Sequence, residues 1–187
     1  MDKYIFHKRK ALTLHECESI IENFESITQV GTKTDEKRID NQRDYTSVGG
    51  DLRLRKYSSV YDTLTTSIRE YRKKHLSIDV TGDWKEVNVF NIQKYDPGQC
   101  FDEEHCEHGP CNMSSRRVLA WMIYLNDIKN KGGTHWPQQK FTSKPRAGDL
   151  YIWPASWTHT HYGVPAPKEI KYILTGWYSY LTTQQIA

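Results

Sequence analysis

Two stretches of the chain carry apolar residues at helical spacing before the pattern changes to that of strands. Leu14, Cys17, Ile20, Ile21 and Phe24 recur at intervals that place them on one side of a helix. Thr13 followed three positions later by Glu16 has the form of a capping box at its start. A second helix is expected from a cap at Ser58 or Ser59 to about His75, with Val60, Leu64, Ile68 and Tyr71 on its apolar stripe. Between them, Gly31 to Asp51 is polar, charged and glycine-punctuated, which predicts a mobile loop or an irregular hairpin. Beyond Gly82 the periodicity shortens. Val87, Val89 and Ile92 mark a strand that ends at the turn Tyr95-Asp96-Pro97-Gly98. Arg117 to Asn126 is a nearly unbroken apolar run, as in a buried central strand. Asn130 to Gly133 makes a turn, and Gly148 to Trp153 and Ile170 to Tyr180 read as two further strands. Helices followed by many short-turned strands predict a mainly β fold with helices outside a β-sandwich or jelly roll.

Composition changes this picture little. At 187 residues the chain is expected to form one domain with a sizeable core. Six Trp and twelve Tyr favour strands over a helical bundle. The 26 basic and 23 acidic residues nearly balance, so the +3 charge gives no reason to expect nucleic acid as a partner. No segment is apolar enough to span a bilayer, and Met1 to Ala11 lacks the apolar block of an export signal. A reducing cytoplasm is therefore expected, with Cys17, Cys100, Cys106 and Cys111 as free thiols.

The candidate chemistry centres on His105-Cys106-Glu107, with His161 and Lys171 far downstream. In an extended segment His105 and Glu107 share a face. With a histidine from another strand they would form a two-histidine, one-carboxylate set that leaves coordination positions open, as iron(II) chemistry needs. Cys106 should then point the other way, as a core thiol. His159 competes with His161, because in an alternating strand the two share a face; His135 is a further candidate. A zinc site from Cys100, Cys106, His108 and Cys111 is conceivable, but the spacing fits no common zinc pattern.

Across Val87 to Tyr180 the chain resembles the Fe(II)- and 2-oxoglutarate-dependent oxygenases, specifically the prolyl 4-hydroxylase-like group. The resemblance rests on the order of its motifs: Tyr95-Asp96-Pro97-Gly98, His105-x-Glu107, Met122-Ile123-Tyr124-Leu125-Asn126-Asp127 and Gly132-Gly133-Thr134. Pro145 to Leu150, Trp153-Pro154, Trp157 to Gly163 and Lys171 to Trp177 complete it. It implies a double-stranded β-helix (a cupin-like jelly roll) over about residues 84–181, with N-terminal helices from residues 1–80 packed on the larger sheet. It also implies that His105, Glu107 and His161 bind Fe(II), and that Lys171 pairs with the distal carboxylate of 2-oxoglutarate. Tyr124 would hydrogen-bond that carboxylate, Tyr95 would line the substrate side, and Trp177 would wall the pocket near the metal. O2 is the second cosubstrate, and ascorbate a candidate addition.

Two positions depart from the usual family pattern. Glu107 stands where most prolyl hydroxylases have Asp, and Lys171 is a point charge where Arg would offer a fork. The resemblance implies hydroxylation of a peptidyl proline within a peptide or protein. The polarity, glycines and charges of Gly31 to Ser58 point separately to a lid or substrate-binding segment. A different side chain or a small molecule remains open as substrate, as do a cupin-like metal protein without O2 chemistry and a non-catalytic sandwich. Lys171 and Tyr124 favour the oxygenase, since neither rival needs a distal-carboxylate anchor.

Overall fold

The structure, a computed structural model, describes residues 4–27, 38–40 and 45–181. Its strands are β1 (Phe6–Lys8), β2 (Arg38–Asp40), β3 (Tyr45–Asp51), β4 (Trp84–Glu86), β5 (Val89–Tyr95), β6 (Arg117–Tyr124), β7 (Thr134–Trp136), β8 (Phe141–Thr142), β9 (Leu150–Pro154), β10 (Tyr162–Gly163) and β11 (Lys171–Tyr180). The helices are α1 (Leu14–Ser26) and α2 (Ser58–Lys74). The larger sheet runs β1-β9-β6-β11-β5-β3-β2, with β4 also on β11; the smaller runs β10-β7-β8. Together they form the jelly roll that the strand pattern predicts.

Alternation along the central strands builds two separate cores. On β6, Leu119, Trp121 and Ile123 join the cluster that includes the helices, whereas Ala120, Met122 and Tyr124 join a second cluster between the sheets. The other strands divide in the same way. Leu150 and Ile152 of β9 and Leu174 and Tyr178 of β11 belong to the helix side; Tyr151, Trp153 and Ile173 belong to the inner one. The continuous apolar run thus reflects burial on both faces.

The helices seal the first core. In α1, Cys17, Ile20 and Phe24 are buried, and both bonds of the Thr13–Glu16 capping box are present. Leu14, expected on the same stripe, is instead exposed at the first position of the helix. In α2, Val60, Leu64, Ile68 and Tyr71 are buried as predicted. Neither serine caps it: a 3-10 turn, Arg55–Tyr57, runs straight into the helix, Tyr57 is the cap residue, and Ser58 is already helical. Gly148, at φ +79°, lets the chain turn into β9 while its carbonyl accepts from the Ala11 and Leu12 amides at 2.7 and 3.2 Å. A Cβ there would lie 2.1 Å from the Leu12 carbonyl oxygen.

Of the segment Gly31 to Ser58, residues 31–37 and 41–44 lie outside the described residues. β2 and β3 pair antiparallel, so the hairpin rather than the mobile loop describes what is seen, and β3 continues the larger sheet beside β5. Val87 falls between strands, its amide bonded to the Trp177 carbonyl at 2.8 Å, and Val89 is exposed. No helix among the described residues is long and apolar enough to cross a membrane.

Candidate active site

Backbone pairing brings the three distant candidates together. His105 and His161 form an antiparallel bridge, with amide-to-carbonyl bonds of 3.1 and 2.9 Å in the two directions. The Glu107 amide donates to the Ala155 carbonyl at 3.0 Å, which fixes the carboxylate beside both rings. One ligand atom from each of His105, Glu107 and His161 lies within 4.8 Å of the others. Glu107 Oε1 is 3.8 Å from His105 Nε2 and 3.6 Å from His161 Nε2. Among the described residues this is the group with metal-holding geometry.

The imidazoles are oriented from behind. His105 Nδ1 donates to the Glu103 carbonyl at 2.8 Å, and His161 Nδ1 to the His159 carbonyl at 3.0 Å. Each bond places the proton on Nδ1 and leaves the Nε2 lone pair for a metal. Aromatic rings hold them in place: Phe101 lies 4.2 Å from the His105 ring, and Trp153 lies 5.0 Å edge-on to that of His161.

The second oxygen of Glu107 is also engaged. Oε2 accepts from the Trp177 indole at 2.7 Å and from Arg117 Nη1 at 3.0 Å. The same Nη1 reaches the Glu107 carbonyl at 3.1 Å, and the Arg117 guanidinium lies 3.7 Å from the Trp177 ring centre. Burial would raise the Glu107 pKa, but His161, His105 and Trp177 outweigh it and hold it at about 2. The carboxylate is therefore held ionised, with Oε2 on Trp177 and Arg117 and Oε1 facing the two imidazoles. Arg117 is a site residue that the sequence reading missed, since it looks like an ordinary charge at the head of an apolar strand.

These groups line a cavity of about 380 Å³ whose wall also includes Tyr95, Thr134, Lys171 and Thr175. Lys171 is 3% exposed, and among the described residues no carboxylate pairs with it; its Nζ lies 4.4 Å from the Tyr95 ring centre. Burial lowers its pKa to about 8. A buried cation left in this state is a site for an anion.

Several candidates are placed differently. Tyr124 is not on the cavity wall: fully buried, its hydroxyl bonds Ser143 Oγ at 2.7 Å and Thr134 Oγ1 at 3.3 Å, so Thr134 faces the cavity in its stead. His159 lies in a 3-10 turn, Trp157–His159, which removes the strand alternation expected to align it with His161. It serves through its carbonyl, while its Nδ1 meets Thr158 Oγ1 at 3.0 Å. His135 instead bonds Thr142 Oγ1 at 2.7 Å. Cys106 is not a core thiol; it is half-buried on the cavity wall, its Sγ donating to the His108 carbonyl. All four cysteines are free, and Cys100, Cys106, His108 and Cys111 form no metal-holding group.

A family model of the 2OG-Fe(II) oxygenase superfamily matches residues 90–179, which include every one of these groups. Over these residues the chain is similar to that superfamily, and the relatives it matches are prolyl hydroxylases. Probable prolyl 4-hydroxylase 9 of Arabidopsis thaliana is 27% identical over 115 residues, covering 47% of this chain but only 39% of the relative's length. A viral collagen prolyl hydroxylase from Paramecium Bursaria Chlorella virus-1, solved with 2OG, superposes with a TM-score of 0.71 at 17% identity, over 96% of this chain and 98% of its own. A prolyl hydroxylase from Trichoplax adhaerens, solved with a hypoxia inducible factor peptide fragment, gives 0.65 at 14% identity, over 95% and 84%. At these identities the superpositions speak for the jelly-roll fold.

Proposed function

We propose that the protein is a 2-oxoglutarate-dependent dioxygenase that hydroxylates a peptidyl proline. The observation that carries this reading is one cavity with a two-histidine, one-carboxylate set on its wall and, on the same wall, a buried lysine without a carboxylate partner among the described residues. His105, Glu107 and His161 would hold Fe(II), and their donor set suits it: two neutral imidazoles and a carboxylate, with room for further ligands. Lys171 would take the distal carboxylate of 2-oxoglutarate, with the Tyr95 ring beside it. When bound, iron and 2-oxoglutarate supply the oxidising chemistry, in which O2, 2-oxoglutarate and a C–H bond give succinate, CO2 and the alcohol.

The chain's own part is placement. Hydrogen bonds at both Nδ1 atoms keep the imidazoles in the ligating tautomer. Arg117 and Trp177 hold Glu107 Oε2, so that the carboxylate would offer a metal its other oxygen. The inner aromatic cluster keeps water from the rest of the pocket. A proline within a peptide is favoured by the prolyl hydroxylases among the relatives, one of which was solved with a peptide. The polar side chains of Asn91, Gln93 and Thr175 on the cavity wall suit peptide amide groups. The reading includes a single catalytic domain acting in the cytoplasm on a peptide or protein, with neither nucleic acid nor membrane as partner.

Anaerobic addition of Fe(II) and 2-oxoglutarate should produce a weak visible band near about 500 nm, as such chelates do. Admitting O2 with proline-containing peptides, with and without ascorbate, should yield succinate and a peptide heavier by one oxygen atom. A metal-loaded protein that shows neither the band nor succinate is not an oxygenase. Succinate without any modified proline would move the substrate to another class.

A further inference from the structure

A second cavity, of about 270 Å³, shares no lining residue with the first. It lies where β1, the segment between β8 and β9, and the start of β9 meet. Its floor is Tyr151 with the His7 ring stacked on it, centroids 4.4 Å apart and planes 5° from parallel. Three cations border it: Arg9, Lys144 and Arg146. Its one carboxylate, Asp149, is 1% exposed and already committed, bonded by His7 Nε2 at 2.7 Å and by the Lys10 amide at 3.1 Å. Among the described residues neither Asp149 nor any other carboxylate forms an ion pair with the three cations. The neighbouring Lys8, by contrast, pairs with Glu70 at 2.7 Å.

We propose that this cavity binds a small, multiply charged oxyanion, held by Arg9, Lys144 and Arg146 above the Tyr151–His7 floor. Like charges gathered around one concavity repel each other, and an anion between them turns that repulsion into attraction. Two guanidinium forks and an ammonium match oxygen-rich anions, since the forks can take two oxygens at once. Size narrows the class. The cavity falls just below the roughly 300–1,000 Å³ of pockets for drug-sized ligands, so it suits a pyrophosphate or tricarboxylate rather than a nucleotide. The site is independent of the oxygenase reading, because Lys171 belongs to the other cavity.

The test is calorimetric titration of the metal-free protein, in which the probe has no ion to chelate, with pyrophosphate and separately with citrate. Saturable one-to-one binding is expected for at least one probe; pyrophosphate alone points to phosphate-bearing ligands, citrate alone to polycarboxylates. The double variant Lys144→Ala/Arg146→Ala should weaken that binding at least tenfold. Both side chains are exposed and without acceptors among the described residues, so its thermal midpoint should match the parent's. Lys171→Ala should leave the affinity within twofold. No saturable binding, binding that survives the double variant, or binding lost with Lys171→Ala overturns the proposal.

Discussion

The two parts of the first cavity are finished to different degrees. Around His105, Glu107 and His161 the atoms behind the three that face one another are already bonded: both Nδ1 atoms to carbonyls, and Glu107 Oε2 to Arg117 and Trp177. Around Lys171 there is burial, an aromatic face and no counter-charge among the described residues. The proposed metal end is organised by the protein itself, whereas the proposed anchor end is left for a ligand to complete. Changes at the first should therefore alter metal binding, and changes at the second should alter cosubstrate binding alone.

The largest expected effect is at the metal end. His161→Ala should weaken metal binding about a thousandfold, a loss of several kcal/mol, since an imidazole ligand disappears. His159→Ala should retain most of the affinity; equilibrium metal titration of both variants decides between them. Lys171→Ala should raise the dissociation constant for 2-oxoglutarate about a hundredfold, near the low end of the about 3–5 kcal/mol seen when one partner of a buried ion pair is removed. Its metal affinity should stay unchanged, and a parallel loss would mean that the two ends are not separate. Arg117→Ala should weaken metal binding about tenfold to thirtyfold, within the 10–100-fold typical of groups that orient ligands. The band of the Fe(II)–2-oxoglutarate complex should shift as well, because Oε2 becomes free to approach the metal.

The next effect is one of pH. The Lys171 amine is charged below about pH 8 and neutral above it. Cosubstrate affinity should therefore be flat below pH 8 and fall about tenfold per unit above it, as measured by titration at fixed metal. Protein stability should move the other way, rising between about pH 8 and the ordinary lysine pKa, because the unfolded chain binds the proton more tightly there. Smallest of all, Tyr124→Phe should cost about 1 kcal/mol of stability for its lost hydrogen bonds. It should change 2-oxoglutarate affinity less than twofold, and a larger change would return Tyr124 to the anchor.

What could be read from the sequence follows the range of each interaction. Helical spacing is local, so the burial of Cys17, Ile20 and Phe24 was legible, while the pocket positions of Lys171 and Trp177 came only with the family resemblance. The motif order was enough for the jelly roll and for the histidine–carboxylate set. Arg117 was not legible, because its role depends on Glu107 folding back across the head of β6. The surroundings of Tyr124 and His159 were not legible for a related reason. Each sits at the expected place in sequence, but the direction of a hydroxyl or the local 3-10 turn is set by neighbours such as Ser143 and Thr158. The serine cap failed because a preceding 3-10 turn had already supplied the helix start.

β11 puts Lys171, Ile173, Thr175 and Trp177 toward the cavity and Tyr172, Leu174 and Tyr178 toward the helices. A slip of one residue in its pairing would exchange these sets, burying the lysine under the helices and pushing large side chains into the reaction chamber. Folding errors in this strand are thus self-reporting. A molecule with β11 out of step could not keep a sound core while being catalytically dead, so a single insertion or deletion here would remove the protein from the folded population rather than leave an inert copy to compete for substrate.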